Sequence, residues 1–344
     1  MEWGKHMLKL GIIGTNWISQ QFVQAAVSSE RYALHSVYSR RQSSATEFIE
    51  ESMQDNVQSY IHLEEFFQDK QLEVVYIASP NALHFEQAKQ AVLNGKHVIV
   101  EKPAFSNPAE MNEIIDLANF HKVCYFEGAR NIHEHNFQVL KNQLPTLNQI
   151  MGASFTYMKY SSRYDDVLAG DVPNIFSLEF SGGALMDLGV YPIYAAVGLF
   201  GQPQTVEYYA QKIRTGVDGS GYGILHYDGF DVSVHFGKTA DSFAPSEIYL
   251  TDGTIVLDGI NVITSATQTN RQTKTEATLA LQKAHENPLY EEACAFADLL
   301  TSIDKAKTAT QYEELVELSR SVNLVLYEMR QKAGIHFPAD QKMN

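Results

Sequence analysis

The sequence predicts an α/β chain of two domains: a doubly wound parallel sheet with crossover helices, then an α+β domain around a large, mostly antiparallel, open-faced sheet. Three observations predict it. From Leu8 to about Glu127, short β-branched runs alternate with amphipathic stretches, which is the pattern of parallel strands joined by helices. After Gly152 the strand patterns lengthen and alternate residue by residue, as antiparallel strands with one solvated face do. The length of 344 residues exceeds one comfortable core, because domains run to roughly 100–200 residues.

The first strands are read in LKLGIIG, ALHSVYS, VVYIAS, HVIVEK and VCYFEG. Between them, segments such as Leu83 to Leu93 and Pro108 to Phe120 repeat apolar residues at helical spacing and are expected to cover the sheet. Asn107 before Pro108 reads as a helix start, cap then first-turn proline. A further helix is expected near Phe137 to Leu144, after which strands follow in GASFTYMKYS, TVEYYAQKIR, GYGILHY and FDVSVHFG. One helix, from about Gly183 to Phe200, interrupts that region, and Leu289 to Leu300 and Tyr312 to Ala333 close the chain as helices. The domain boundary is expected near Glu127, giving domains over 7–127 and 128–344. Met1 to His6 precedes a second methionine, Met7, and reads as an extension.

Hydrophobic residues make up 44% of the chain and charged residues 19%, enough apolar surface to offset chain entropy in both domains. The 26 basic and 41 acidic residues give a net charge of −15, which repels a phosphate backbone and argues against nucleic acid as a partner. No run approaches the roughly 18–20 apolar residues of a membrane span, and no signal-peptide core precedes the first strand; a cytoplasmic location is expected. Cys124 and Cys294 each lie in an apolar segment and read as packing residues.

The first strand runs into Gly14-Thr15-Asn16-Trp17-Ile18-Ser19 and then a helix. A dinucleotide-binding fold places its glycine-rich turn and helix N-terminus there, against the pyrophosphate. Gly14 holds the first glycine position, while Asn16 and Ser19 replace the second and third. Asn tolerates left-handed backbone angles and Ser is small enough for close helix packing. After the second strand comes Ser39-Arg40-Arg41, with no acid for the ribose hydroxyls. A hydroxyl and two guanidinium groups suit a 2′-phosphate, so NADP(H) is expected over NAD(H).

Ser79-Pro80-Asn81 with His84, then Glu101-Lys102-Pro103, follow two later strands, and Gly182-Gly183-Ala184-Leu185-Met186-Asp187-Leu188-Gly189-Val190-Tyr191 lies in the second domain. Together with the glycine turn, these elements resemble the glucose-fructose oxidoreductase, inositol dehydrogenase and rhizopine-catabolism (Gfo/Idh/MocA) family in order and spacing over nearly the whole chain. The resemblance implies a Rossmann domain binding NAD(P) through the turn, the Ser39 loop, Ser79, Pro80, Asn81, His84, Glu101 and Lys102. It implies hydride transfer to or from a sugar, polyol, dihydrodiol or related carbonyl compound, and no metal. Tyr191 stands where many relatives carry histidine, which looks like the branch of glucose-fructose oxidoreductase and dimeric dihydrodiol dehydrogenase, where a tyrosine is taken as the proton donor. Ile132 stands where many relatives carry an arginine.

Hydride transfer at a carbinol carbon needs a group to move the hydroxyl proton. Tyr191 is the candidate, and because a free phenol has a pKa near ~10, a nearby cation must favour its phenolate. Lys102 is the expected cation. Pro103 biases it toward extended backbone at the carboxyl edge of the sheet, where open α/β sheets bind ligands. Asp187, four residues before Tyr191 and so on the same helical face, is expected to orient substrate or tune the pair. His133 and His135 lack a carboxylate or cysteine to complete a metal site. The competing function is a cofactor-binding regulator without turnover. The alternating strands after Gly152 are expected to leave a face that a second subunit covers, giving a dimer or a tetramer.

Overall fold

The structure is a computed structural model and describes residues 6–303 and 305–343; Met1–Lys5, most of the expected N-terminal extension, lie outside the described residues. The chain forms two compact units. The first takes the residues up to Phe105, Ala109–Arg130 and His285–Glu317, and the second takes Ser106–Pro108, Asn131–Ala284 and the residues from Leu318 on. A single cut at 127/128 does not contain this division, because the chain returns to the first unit near its end.

The first unit is built on β1 (Leu8–Ile13), β2 (Tyr32–Tyr38), β3 (Gln58–Tyr60), β4 (Val74–Ile77), β5 (His97–Glu101) and β6 (Tyr125–Gly128). They form one sheet in the order β3-β2-β1-β4-β5-β6, parallel throughout. The buried strands are near-continuous apolar runs because helices cover both faces. β3, the polar tripeptide QSY at the edge, carries no such run. Helices α1 (Trp17–Ser28), α2 (Gln42–Ser52), α3 (Leu63–Gln68), α4 (His84–Leu93) and α5 (Pro108–His121) follow their strands, and Pro108 opens α5 as its fixed φ allows. Phe22 of α1 stacks on Tyr76 of β4 at 3.9 Å between ring centres.

After the short helices α6 (Arg130–His133) and α7 (His135–Gln143), the second unit begins its sheet with β7 (Ile150–Met158). Helix α8 (Arg163–Ala169), a helical run to Phe200, and the strands β8 (Thr205–Lys212), β9 (Asp218–His226), β10 (Asp231–Gly237), β11 (Ser246–Leu250), β12 (Gly253–Leu257), β13 (Ala266–Asn270) and β14 (Glu276–Thr278) follow. The eight strands lie in the order β14-β13-β12-β11-β7-β10-β9-β8. All pairings are antiparallel except β7 with β10. One face turns Phe155, Val232, Val234, Phe236 and Ile248 into the interior; the other leaves Met151, Tyr209 and Tyr222 exposed.

The expected helix over Gly183 to Phe200 is not one regular helix. A 3-10 turn at Leu178–Phe180 and a π-helical turn at Leu185–Gly189 precede α9 (Val190–Phe200). Among the described residues this run, Leu178–Phe200, is the one long and apolar enough to cross a membrane by length and composition, which the sequence reading did not anticipate. Some 78% of its most apolar window is buried inside the protein, so its composition is that of a core helix.

Helix α10 (Tyr290–Leu300) and the start of α11 (Ala306–Lys332) complete the first unit. Leu289, Ala293 and Phe296 join the core around Leu10 and Tyr76, Phe126 stacks on Phe296, and the Tyr32 hydroxyl donates to the Ala293 carbonyl at 3.0 Å. A segment far along the chain thus covers one face of the first sheet. Cys124 is buried and its thiol is pushed up to about 12 by desolvation.

Candidate active site

In the first unit the strand order reverses between β1 and β4, and the crevice beyond their carboxyl ends is where open α/β sheets bind ligands. Gly14 leaves β1 at φ +102°, and a Cβ there would lie 2.6 Å from the Ala78 carbonyl oxygen. Only glycine makes that approach. Asn16 works differently from the expectation: its backbone is extended, at φ −113° and ψ 176°, and its side chain carries the function. Oδ1 caps α1 by accepting the Ser19 N–H at 3.1 Å, and Nδ2 donates to the Ala78 carbonyl at 2.7 Å. One amide therefore closes the turn and ties it to the end of β4. Ser19 is wholly buried, as close helix packing requires.

Trp17 and Ile18, the first two helical positions after the Asn16 cap, direct backbone N–H groups out of the helix end, the donors an anionic pyrophosphate accepts. Ser39 continues from β2 and is held by its N–H to the Tyr60 carbonyl at 3.0 Å; Arg40 and Arg41 are exposed beside it. This donor set, a tight glycine turn, open helix N–H groups and two cations at the end of β2, fits a phosphorylated dinucleotide.

The structure places two expected cofactor residues beneath this edge. His84 is buried, with Nε2 2.7 Å from the Ser79 carbonyl and Nδ1 3.2 Å from that of Ala104. It bridges the Ser-Pro-Asn turn to the segment after Lys102, and burial lowers its imidazole pKa. Glu101 is buried too and accepts the Tyr76 hydroxyl. Desolvation raises its carboxyl above the usual range, against the pull of Lys102 and Arg130. Between them these residues fix the backbone that presents Ser79, Pro80, Asn81 and Lys102, all partly exposed. The Lys102–Pro103 bond is cis.

In the second unit, Asp187 sits within the π-helical turn and Tyr191 in the first turn of α9. π-turns interrupt the regular rotation of a helix and recur at functional sites. Gly183, at φ +120°, starts the segment in a backbone conformation that other residues rarely adopt, and Asp218 of β9 anchors it. The Asp218 carboxylate accepts the Leu185 N–H and the Tyr208 hydroxyl, each at 2.6 Å. It is fully buried, and desolvation raises its pKa. Asp187 itself is ion-paired with Lys238. Asn131 donates to the Tyr191 carbonyl at 3.2 Å, and Tyr157 of β7 meets the Tyr191 ring edge-on at 5.5 Å.

Lys238, Asp218 and Asn131 were not found in the sequence. A lysine after an alternating strand and an aspartate in a glycine-rich stretch read as solvated residues, and no local spacing marks them otherwise. Ile132 is buried. His133 is held down to about 4 by desolvation, and among the described residues no group of three or more His, Cys, Asp or Glu side chains gathers as a metal site would.

Residues 8–129 match the model of an oxidoreductase family with an NAD-binding Rossmann fold, and residues 156–256 match the C-terminal domain of the same family. The chain belongs to the Gfo/Idh/MocA oxidoreductase family. Within it, the chain is 37% identical to scyllo-inositol 2-dehydrogenase (NADP(+)) IolU of Bacillus subtilis (strain 168), over 97% of this chain and 100% of that protein. It is 34% identical to the uncharacterized oxidoreductase YgjR of Escherichia coli (strain K12), over 97% and 99%. Among solved structures it resembles a 3-ketoreductase from Actinomadura kijaniata in complex with NADP and TDP-benzene, with a TM-score of 0.81, 19% identity and coverage of 95% of this chain and 98% of that one. The Gfo/Idh/MocA chain is thus an NAD(P)-dependent oxidoreductase acting on CH–OH groups, and the catalytic reading stands over that of a regulator.

Proposed function

We propose that this protein is an NADP(H)-preferring dehydrogenase of a cyclic polyol or closely related sugar. What carries the reading is the identity, over essentially the full length of both chains, to an NADP(+)-dependent scyllo-inositol 2-dehydrogenase. The exposed Arg40 and Arg41 after β2 support the cofactor choice: they offer charge-assisted bonds to a 2′-phosphate where an acid would repel it. The first unit serves as the cofactor domain and the second as the substrate and oligomerisation domain.

When bound, the cofactor supplies or takes the hydride through its nicotinamide ring. The chain's own residues handle the proton and the charge. Tyr191 accepts the hydroxyl proton during oxidation and returns it during reduction. Lys102 contributes positive charge that favours the alkoxide-like oxygen of the transition state. Asp187 accepts a hydrogen bond from a substrate hydroxyl and fixes which ring carbon faces the reaction.

The protein self-associates through the outer face of its second sheet. There Tyr209 pairs with Tyr222, Tyr222 with His235 and His235 with Thr156 across four strands, a row with aromatic area that a partner subunit would cover. Light scattering at micromolar concentration is expected to give a dimer or a tetramer, and a monomer overturns this part.

The deciding test is turnover of scyllo-inositol, other inositols, aldoses and trans-dihydrodiols with NADP+ and with NAD+, followed at the nicotinamide absorbance. The expected result is oxidation of a cyclic polyol with a higher kcat/KM for NADP+. No turnover of any polyol with either cofactor, or a preference for NAD+, overturns the reading.

A further inference from the structure

The Asp187–Lys238 ion pair joins residues 51 apart in the chain, and it raises a physical question. The Lys238 side chain is only 4% exposed and that of Asp187 21%. Removing an ammonium from water costs several kcal/mol, which a buried pair seldom recovers in stability relative to apolar side chains of the same volume. The pair therefore has a weak claim as a stabilising device and a better one as a device for holding a charged group in one place.

The surroundings of Lys238 hold it firmly. It follows Gly237 at the end of β10, its N–H donates to the Gly219 carbonyl at 2.7 Å, and its own carbonyl accepts the Ser161 N–H at 2.9 Å. Its backbone is thus fixed from both sides. Its Nζ lies 5.0 Å from the centre of the Phe176 ring, a fully buried residue whose face favours a cation and excludes water. The ammonium donates to Oδ2 of Asp187.

We propose that Lys238 is a positioning residue of the reaction: by donating to Oδ2 it holds the Asp187 carboxylate in one orientation, so that Asp187 acts on the substrate as a hydrogen-bond acceptor. This rests on the role given to Asp187 above. It adds a residue that acts through another.

The test is a double-mutant cycle on a turned-over polyol, with NADPH affinity measured alongside. Lys238→Met is expected to lower kcat/KM for the polyol about 10- to 100-fold, the scale of a misplaced contact group, with the NADPH dissociation constant within about twofold of wild type. Lys238→Arg, which keeps the cation, is expected to retain clearly more activity than Lys238→Met. The double variant Asp187→Asn/Lys238→Met is expected to be no worse than Asp187→Asn alone, because both changes remove one interaction. If Lys238→Met fails to fold, the double variant, which removes both charges of the pair, still gives the comparison with Asp187→Asn. Multiplying losses in the double variant, wild-type kcat/KM in Lys238→Met, or equal losses in the Arg and Met variants would each overturn the proposal. If instead Asp187→Asn and Tyr191→Phe keep wild-type turnover, the underlying site assignment has failed, a result separable from failure of Lys238 alone.

Discussion

The nucleotide turn of the first unit and the Asp187–Tyr191 segment of the second are built by opposite means. At the turn, the structure is made mostly by neighbours in sequence, with the Ala78 carbonyl as a distant partner: Gly14 supplies the backbone angle, Asn16 the cap and Ser19 the close contact. In the second unit, the shape depends on side chains from distant strands, with Asp218 bonded to Leu185 across 33 residues and Lys238 to Asp187 across 51. A ligand site made of backbone can be specified by a short motif. One made of buried charge needs the completed fold.

The largest effects should come from the groups assigned to proton and charge transfer. Tyr191→Phe and Lys102→Met are each expected to lower kcat by about 10²–10⁴-fold, the range for lost proton-transfer help. Steady-state kinetics with NADPH titrations in parallel checks this, and cofactor binding should survive both changes. A wild-type rate in both would place the chemistry elsewhere.

A pair of glycine substitutions contrasts the two regions directly. Gly14→Ala forces a Cβ against the Ala78 carbonyl at φ +102°, and strain of about 1–3 kcal/mol should weaken NADPH binding by tenfold or more. Gly183→Ala meets the Asp218 carboxylate instead, at φ +120°. It should lower the free energy of unfolding in urea by about 1–3 kcal/mol and reduce turnover, with NADPH affinity unchanged. If both variants lose cofactor affinity alike, the two regions are not separable.

Arg40→Ala tests the nucleotide region alone. A charged hydrogen bond is worth about 1.5–3 kcal/mol, so the proposed NADP(H) preference should shrink roughly ten- to a hundred-fold. Because Arg40 is exposed, added salt should erode the wild-type preference in the same direction. An unchanged cofactor ratio would remove Arg40 from the site.

The smallest expected effect is a change of slope. His84 has a folded pKa below its ordinary value because it is buried, so the unfolded chain binds more protons as pH falls below the usual imidazole range, and stability is lost on acidification. Melting temperatures between about pH 7.5 and pH 5.5 should fall less steeply in His84→Asn. The slope should persist in part, since burial also lowers His97, His133 and His235. An identical slope in the variant would mean that folding leaves the proton affinity of His84 unchanged.

How much the sequence disclosed follows the same division. The parallel sheet was legible because buried strands need apolar runs, and β4, VVYI, is buried at every position. β3 was not, because a polar edge strand of three residues carries no pattern. Tyr191 and Asp187 could be picked out by the resemblance of their segment to that of the family, whereas the π-turn that sets the orientation of Asp187 has no signature in the sequence. The return of α10 to the first unit was hidden for a related reason: an amphipathic helix shows which face it buries, not what it buries that face against.

One detail of the nucleotide turn gives the protein an optical reporter of its own. Trp17, at the first helical position, is 73% exposed, and the sequence has two tryptophans, Trp3 and Trp17. Indole emission overlaps the absorption band of a reduced nicotinamide, so NADPH arriving at this helix end should quench Trp17 and gain sensitised emission. With Trp3→Phe as the background, that transfer reads occupancy of the turn without any turnover, and Trp17→Phe supplies the dark control.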